Sequence, residues 1–210
     1  MTQTPMKQTT MNEASADQTA VDQTALPCGT VRAICISKRK GIRKTPVEGP
    51  VTVVENYGIE EDAHAGDWHR QVSFLAWESI ETAQGWGLDV AEGDFAENIT
   101  AQGLNLHTLP LGTQVQVGEE VQLELSQIGK ACHTRCAIYH QAGDCIFPRE
   151  GIFFVVLKGG SINVGDPIQV TKMGDGTCER TPAEALAEVA EFHANECAKA
   201  AKIAEKLESL

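Results

Sequence analysis

No apolar run in the chain approaches the roughly 20 residues that a membrane-spanning helix requires, so a bilayer crossing is not expected. The opening stretch, MTQTPMKQTTMNEASADQTAVDQTALP, lacks both an apolar core and a cleavage pattern. It does not read as a secretory signal, and a cytoplasmic address is expected. Positive charge is scarce: 17 Lys and Arg stand against 29 Asp and Glu, for a formal net charge of −12. Such a surface repels nucleic-acid phosphates and anionic membrane, which excludes both as general partners. A small anion held by a few clustered cations stays compatible with it. An even cysteine set is also missing. The seven cysteines, Cys28, Cys35, Cys132, Cys136, Cys145, Cys178 and Cys197, point to free, catalytic or metal-binding thiols rather than a disulfide scaffold. No flavin, haem or iron–sulfur motif is present, so any redox chemistry would draw electrons from a separate protein.

What is present organises into four segments. Residues 1–27 are rich in Thr, Gln and Ala and read as a disordered tail, because they hold too little apolar surface to offset ordering entropy. Residues 28–171 carry β-rich runs between Gly, Pro and Asp punctuation: Thr30–Ser37, Gly49–Glu55, Val72–Ala76, Asn98–Ala101, Gln114–Val117, Val121–Gln127, Ile152–Leu157 and Ile168–Thr171. Gly118–Glu120 between two of them reads as a hairpin turn. One helix is expected over Ala76–Gln84, stopped by Gly85. The pattern predicts a mainly β fold, a barrel or a sandwich, with 42% hydrophobic residues to fill its core. Residues 172–180 read as a Gly-rich linker. Residues 181–210 read as a helix, capped by Thr181 with Pro182 at its first position and Glu184 completing a capping box. Leu186, Ala190, His193, Cys197, Ala200, Ala204 and Leu207 form a seam of mostly small residues, facing either its own barrel or a second copy in a homodimer. His193 and Cys197 also have a metal-compatible i, i+4 spacing, although core packing accounts for them as well.

The chemistry concentrates in Ile128–Glu150, IGKACHTRCAIYHQAGDCIFPRE, which holds three cysteines, two histidines and two arginines. His133 follows Cys132, and Arg135 precedes Cys136. A cationic neighbour raises a thiol's thiolate fraction, and a thiolate both attacks electrophilic sulfur and binds soft metals. Sulfur transfer and metal ligation are therefore both open. So are a zinc site, inert buried cysteines and a regulatory disulfide.

The ordered series D-x-H-x-G at Asp62–Gly66, RQVS at Arg70–Ser73, G-x-F-x-E-N-I-T at Gly93–Thr100, the cysteine segment and G-x-I-x-V-G-D at Gly160–Asp166 resembles the MOSC family, named for the C-terminal domain of molybdenum cofactor sulfurases. The likeness covers about residues 30–171 and is nearest to the small stand-alone bacterial form. It implies a MOSC-type β-barrel with a few short helices and a cleft. It also implies a protein that binds molybdenum cofactor (molybdopterin), or its precursor, and carries or transfers sulfur or cofactor through a reactive cysteine. A sulfur-donor protein or a molybdoenzyme would then be a partner. No pyridoxal phosphate is expected, since the lysine-bearing domain that holds it in the sulfurases has no counterpart here; turnover as a sulfur transferase is left open. The family pattern has one key cysteine. Cys136, followed by aliphatic residues and preceded by Arg135, is preferred as thiolate and molybdenum ligand. Cys132 is the alternative or a resolving thiol, and Cys145 a third candidate. Two other readings stand beside this one: a molybdenum cofactor-dependent reductase of N-hydroxylated compounds with a separate electron donor, and a redox- or zinc-dependent adaptor.

The remaining candidates surround that thiol. Lys38, Arg39, Lys40, Arg43 and Lys44 form the main cationic run and read as a dock for the cofactor phosphate, or as a solvated loop. Arg149 and Lys158 could add phosphate contacts. Asp62 could orient His64, and with His69 the two offer a metal set. Arg70 and Gln71 could bind an anion or a pterin edge, with an ion pair as the plainer role for Arg70. Glu97 and Asn98, at a strand mouth, could read a pterin ring or simply brace a loop.

Overall fold

The alternation in QVQV and VQLELSQI builds a hairpin, β7 (Gln114–Val117) and β8 (Val121–Ile128), with Val115, Val117, Val121 and Leu123 turned inward. The turn needs glycine: Gly118 sits at φ +61°, and a Cβ there would lie 2.7 Å from the Asp166 carboxylate. The computed structural model describes residues 26–208, with side chains to Glu205. The expected N-terminal tail lies, but for its last two residues, outside the described residues.

Seven strands run β11 (Pro167–Lys172), β7, β8, β9 (Ile152–Lys158), β5 (Val72–Ala76), β6 (Ile99–Gln102) and β1 (Cys28–Ile36). Pairing of Cys28 with Gln169 and Thr30 with Pro167 joins β1 to β11 and closes the barrel. The expected mainly β barrel is the observed architecture. All these pairs are antiparallel except β5 with β6. A parallel pair cannot be joined by a tight turn; the crossover carries α1 (Trp77–Gly85). Short strands β2 (Thr45–Pro46), β4 (Gly58–Ile59) and β10 (Gly160–Ile162) were not legible as separate elements, while β3 (Val51–Val54) falls within the expected run Gly49–Glu55. β2 extends the barrel at β1, while β10, β3 and β4 make a small second sheet.

Two apolar layers result. The lumen is filled by residues including Phe74, Phe154, Ile34, Val115, Leu123 and Leu125, with the Phe74 and Phe154 rings 4.7 Å apart. The outer layer joins Leu75 and Phe153, on the outward faces of β5 and β9, to Ile80 of α1, Ile138 of α2 (Ala137–Ala142) and Phe147 of α3 (Phe147–Glu150). All five residues of β5 are therefore buried. The expected linker is tied down: Gly174 N–H donates to Thr113 Oγ1 at 3.0 Å, Gly176 N–H to the Leu111 carbonyl at 3.1 Å, and Arg180 pairs with Asp67.

The C-terminal helix α4 (Ala183–Glu208) is present. Its expected cap is not formed by Thr181, whose hydroxyl donates instead to the Ser126 carbonyl on β8 at 2.6 Å. The packed stripe is also displaced from the expected one. Ala185, Val189, Phe192, His193 and Glu196 turn inward, while Leu186, Ala190, Cys197, Ala200 and Ala204 are exposed. Val189 and Phe192 offer more apolar surface than the alanines, and burial follows area.

Phe154→Ala empties the centre of the lumen and is expected to cost about 3–5 kcal/mol, whereas the partly exposed Leu157→Ala costs less than about 0.5 kcal/mol. Urea unfolding checks both through the midpoint at an unchanged slope.

Candidate functional site

The cysteine segment leaves β8 through Gly129, at φ +69°, where any Cβ would lie 2.2 Å from the Pro148 carbonyl. Only glycine permits that approach. Its N–H donates to the Gly151 carbonyl at 2.6 Å, and Lys130 N–H donates to that of Pro148 at 3.0 Å. Gln127 Nε2 donates to the Gly129 carbonyl at 2.7 Å, and Gln127 Oε1 lies 2.8 Å from His69 Nε2. So His69 braces the base of the loop rather than joining Asp62 and His64 around a metal.

Held this way, the segment forms one wall of a cleft of about 860 Å³, with Cys132, Arg135, Cys136, Ile138 and Cys145 among its lining residues. The opposite wall comes from Arg43, His64 and the Asp94–Ala96 turn. An adjoining hollow of about 300 Å³ is lined by Trp68, Arg70, Asn98 and His133, and shares His64, Ala96, Lys130 and Phe147 with the cleft. The three candidate cysteines thus face one space, but differently. Cys136 is exposed, at the position preceding α2. Cys132 is half-buried, its thiol donating to the Thr134 carbonyl at 3.2 Å. Cys145 is buried, and burial pushes its thiol up to about 11, which keeps it protonated near neutral pH. All seven cysteines are free.

Two cations line the hollow, and Lys130 also lines the cleft. Lys130 is half-buried, with Nζ 5.2 Å from the Phe147 ring centre. Arg70 stacks 4.8 Å over Trp68, and its buried Nε has no hydrogen-bond partner. Among the described residues neither has a carboxylate within 4.0 Å. Burial lowers both from their ordinary values, and each repels the other. Arg70 was expected in an anion site or an ion pair; the ion pair is not formed. Lys130 was not singled out, and its only sequence signal is its place two residues before Cys132.

The other expected cations are paired or lie away from the cleft. Lys44 is sealed in the interior, with Nζ 2.6 Å from both Asp62 oxygens, so it does not face the cleft. Asp62 also accepts the Ser37 N–H and the His64 N–H, each at 3.0 Å. Burial alone would raise this carboxyl; its hydrogen bonds with His64 and Lys44 hold it well below the usual carboxylate range. Asp62 thus fixes the His64 backbone, while His64 Nδ1, 3.5 Å from Asp62 Oδ1, has no hydrogen bond. Arg43 reaches the cleft rim but pairs with Asp94 at 2.9 Å. Lys40 is exposed. Arg149 grips Asp144 through two hydrogen bonds of 2.9 and 2.8 Å and lines neither space.

Gln71, Glu97 and Asn98 are built into the frame. Gln71 accepts the Val156 N–H at 2.8 Å. Asn98 Oδ1 accepts from Ser73 N–H and Oγ at 3.1 and 2.9 Å, and its Nδ2 donates to the Cys35 carbonyl at 3.2 Å, tying β5 and β1 together. Glu97 is fully buried and lines neither space. Its Oε1 accepts from Gly93 N–H at 2.6 Å and Thr100 Oγ1 at 3.1 Å, which holds the Gly93–Ala96 turn as a cleft wall. A polar group between a turn and a strand serves bracing as readily as recognition, so the sequence could not separate the two roles.

The basic neighbours of the thiols are claimed by α4. His133 Nε2 lies 2.8 Å from Glu188 Oε1. Arg135 pairs with Glu196 at 2.7 Å and stacks 4.0 Å over Tyr139. Glu188, Phe192 and Glu196 escaped the sequence reading, although Ala185, Val189, Phe192 and Glu196 recur at helical spacing. Among the described residues no three His, Cys, Asp or Glu side chains gather as a metal set, whether from the three cysteines with a histidine or from His193 and Cys197.

A model of the MOSC domain matches residues 61–169, slightly more than half of the chain. The chain belongs to the MOSC domain family. The match spans every cavity-lining residue except Gly41–Arg43 and Glu188. No curated protein matches the chain. Among solved structures it is similar to the YUAD protein of Bacillus subtilis, with a TM-score of 0.58 and 17% identity over 68% of this chain and 95% of that one. It is also similar to YiiM of Geobacillus stearothermophilus, with a TM-score of 0.54 and 24% identity over 79% and 92% of the two chains. At these identities the likeness concerns the fold.

Burial pushes Glu97 up to about 7, against the hydrogen bond from Gly93. The folded protein therefore binds this proton more tightly than an unfolded chain of carboxyl pKa about 4.3. The stability it contributes is complete below that value and lost as pH rises to about 7. Glu97→Gln is expected to remove this fall, of order 3 kcal/mol, in urea titrations at pH 4.5 and 7.5.

Proposed function

We propose that this MOSC protein binds molybdenum cofactor in the cleft and carries or passes on sulfur or cofactor through Cys136. The observation that carries the reading is the meeting of two unlike groups across two adjoining spaces: thiols at Cys132 and Cys136 in the cleft, Arg70 in the hollow, and Lys130 lining both, neither cation with a carboxylate partner among the described residues. Soft thiolates suit molybdenum, and hard cations suit a phosphate ester. The buried Arg70 Nε without a partner supports an anionic ligand there, because a buried donor left unmade is costly. A volume of about 860 Å³ falls within the usual range for cofactor pockets.

In this reading Cys136 holds the metal, Lys130 and Arg70 hold the phosphate with Arg43 at the rim, and Phe95, Ile138 and Phe147 enclose the ring system. When bound, the group supplies a redox-active metal centre that exchanges oxygen or sulfur ligands. Cys132, which lines the same cleft, would serve as a resolving thiol. The high proton affinity of Cys145 argues for a packing role. No described helix is long and apolar enough to cross a membrane. Seven free thiols suit a reducing compartment, which supports a cytoplasmic address.

Protein purified without oxygen from cells that make the cofactor is expected to contain molybdenum and pterin in near-equal amounts by elemental analysis and fluorescence. Cys136→Ser should lose the molybdenum, and Cys132→Ser should keep it. Wild-type protein free of both molybdenum and pterin after loading would sink the reading.

A further inference from the structure

We infer that Glu188 of α4 is a built-in stand-in for the ligand's oxyanion, so that α4 guards the hollow and a phosphate must displace it. The inference rests on the cofactor reading for the identity of the natural ligand, but its geometry is independent of it. Glu188 lines the hollow with Arg70, Lys130 and His133, and its Oε1 lies 2.8 Å from His133 Nε2. It exerts a favourable field on Arg70 without touching it. This carboxylate, paired with His133, lines the same hollow as Arg70 and Lys130 without pairing with either, and its like charge opposes entry of an oxyanion there.

The helix has few other holds. Two turns beyond Glu188, Glu196 binds Arg135 at 2.7 Å, with the Phe192 ring 5.4 Å from that guanidinium. His193 Nε2 lies 2.9 Å from the Pro148 carbonyl, and Val189 is the buried residue of the helix among those described. Two of the groups that dock α4, His133 and Arg135, are therefore basic residues of the cysteine segment itself. Docking of the helix and occupancy of the hollow share His133, and Glu188 faces the same hollow as Arg70 and Lys130. Two events that share partners are thermodynamically linked, and each must weaken the other to the same degree. A phosphate monoester, with more charge than a carboxylate and three acceptor oxygens, is the ligand class that competes best for Arg70, Lys130 and His133.

The full chain is titrated with inorganic phosphate at constant ionic strength, with chloride as control. Binding is followed by calorimetry, and helix docking by amide hydrogen exchange over residues 183–205. Glu188→Gln is expected to bind phosphate about tenfold more tightly than wild type, and phosphate is expected to speed exchange in α4 of the wild type. Arg70→Met and Lys130→Met, whose folding is checked by thermal midpoint, should each lose phosphate binding. Equal affinity in wild type and Glu188→Gln overturns the proposal. So does unchanged exchange in α4 at saturating phosphate, binding that survives both cation variants, or no binding to either the wild type or Glu188→Gln. Failure here in a protein that retains molybdenum and pterin removes the guard alone; a correct phosphate response in a protein that never loads cofactor removes the cofactor reading alone.

Discussion

The site exists because one wall of the barrel is apolar on both sides. Strands β5 and β9 turn Phe74 and Phe154 into the lumen and Leu75 and Phe153 outward. An outward Phe and Leu must be covered, and Ile80, Ile138, Ile146 and Phe147 cover them. That requirement draws the chain after β8 back across the barrel as two short helices. The cysteines ride on this outer layer, and Phe147 is at once its cover and the floor shared by cleft and hollow.

Charge is managed within the same frame. The chain is acidic overall, yet Lys130 and Arg70, both half-buried along the hollow, have no carboxylate partner among the described residues. Lys44, Arg43 and Arg149 are each answered by an aspartate. Lys130 and Arg70 are answered by aromatic faces instead, which hold a cation without neutralising it. Desolvated positive charge kept near a second positive charge is unfavourable to folding, and such groups concentrate where a ligand is to be held. The acidic helix α4 sits over the same region and supplies carboxylates at its edge.

Periodicity made most strands legible. Val72–Ala76 and Gln114–Val117 were located at both ends, and the Gly118–Glu120 turn and the C-terminal helix were recognisable from alternation, glycine and helix-forming composition. The two- and three-residue strands and the helices α2 and α3 were not, because so few residues carry no period and their conformation is imposed by neighbours. The cysteine segment stood out by composition. The roles of the residues around it did not, since Glu97 and Lys44 look equally fit for a ligand or for a frame until burial is known.

By itself the sequence determined the family, the mainly β architecture and the stretch in which the thiols lie. These follow from local order: alternation, turn residues and a linear series of motifs. Tertiary structure alone decided which cysteine faces solvent, which cations remain unpaired, and that Glu188 and Glu196 reach His133 and Arg135 across more than fifty residues of chain. Pairing and burial depend on what lies alongside a residue in space, and the closure of the barrel sets that.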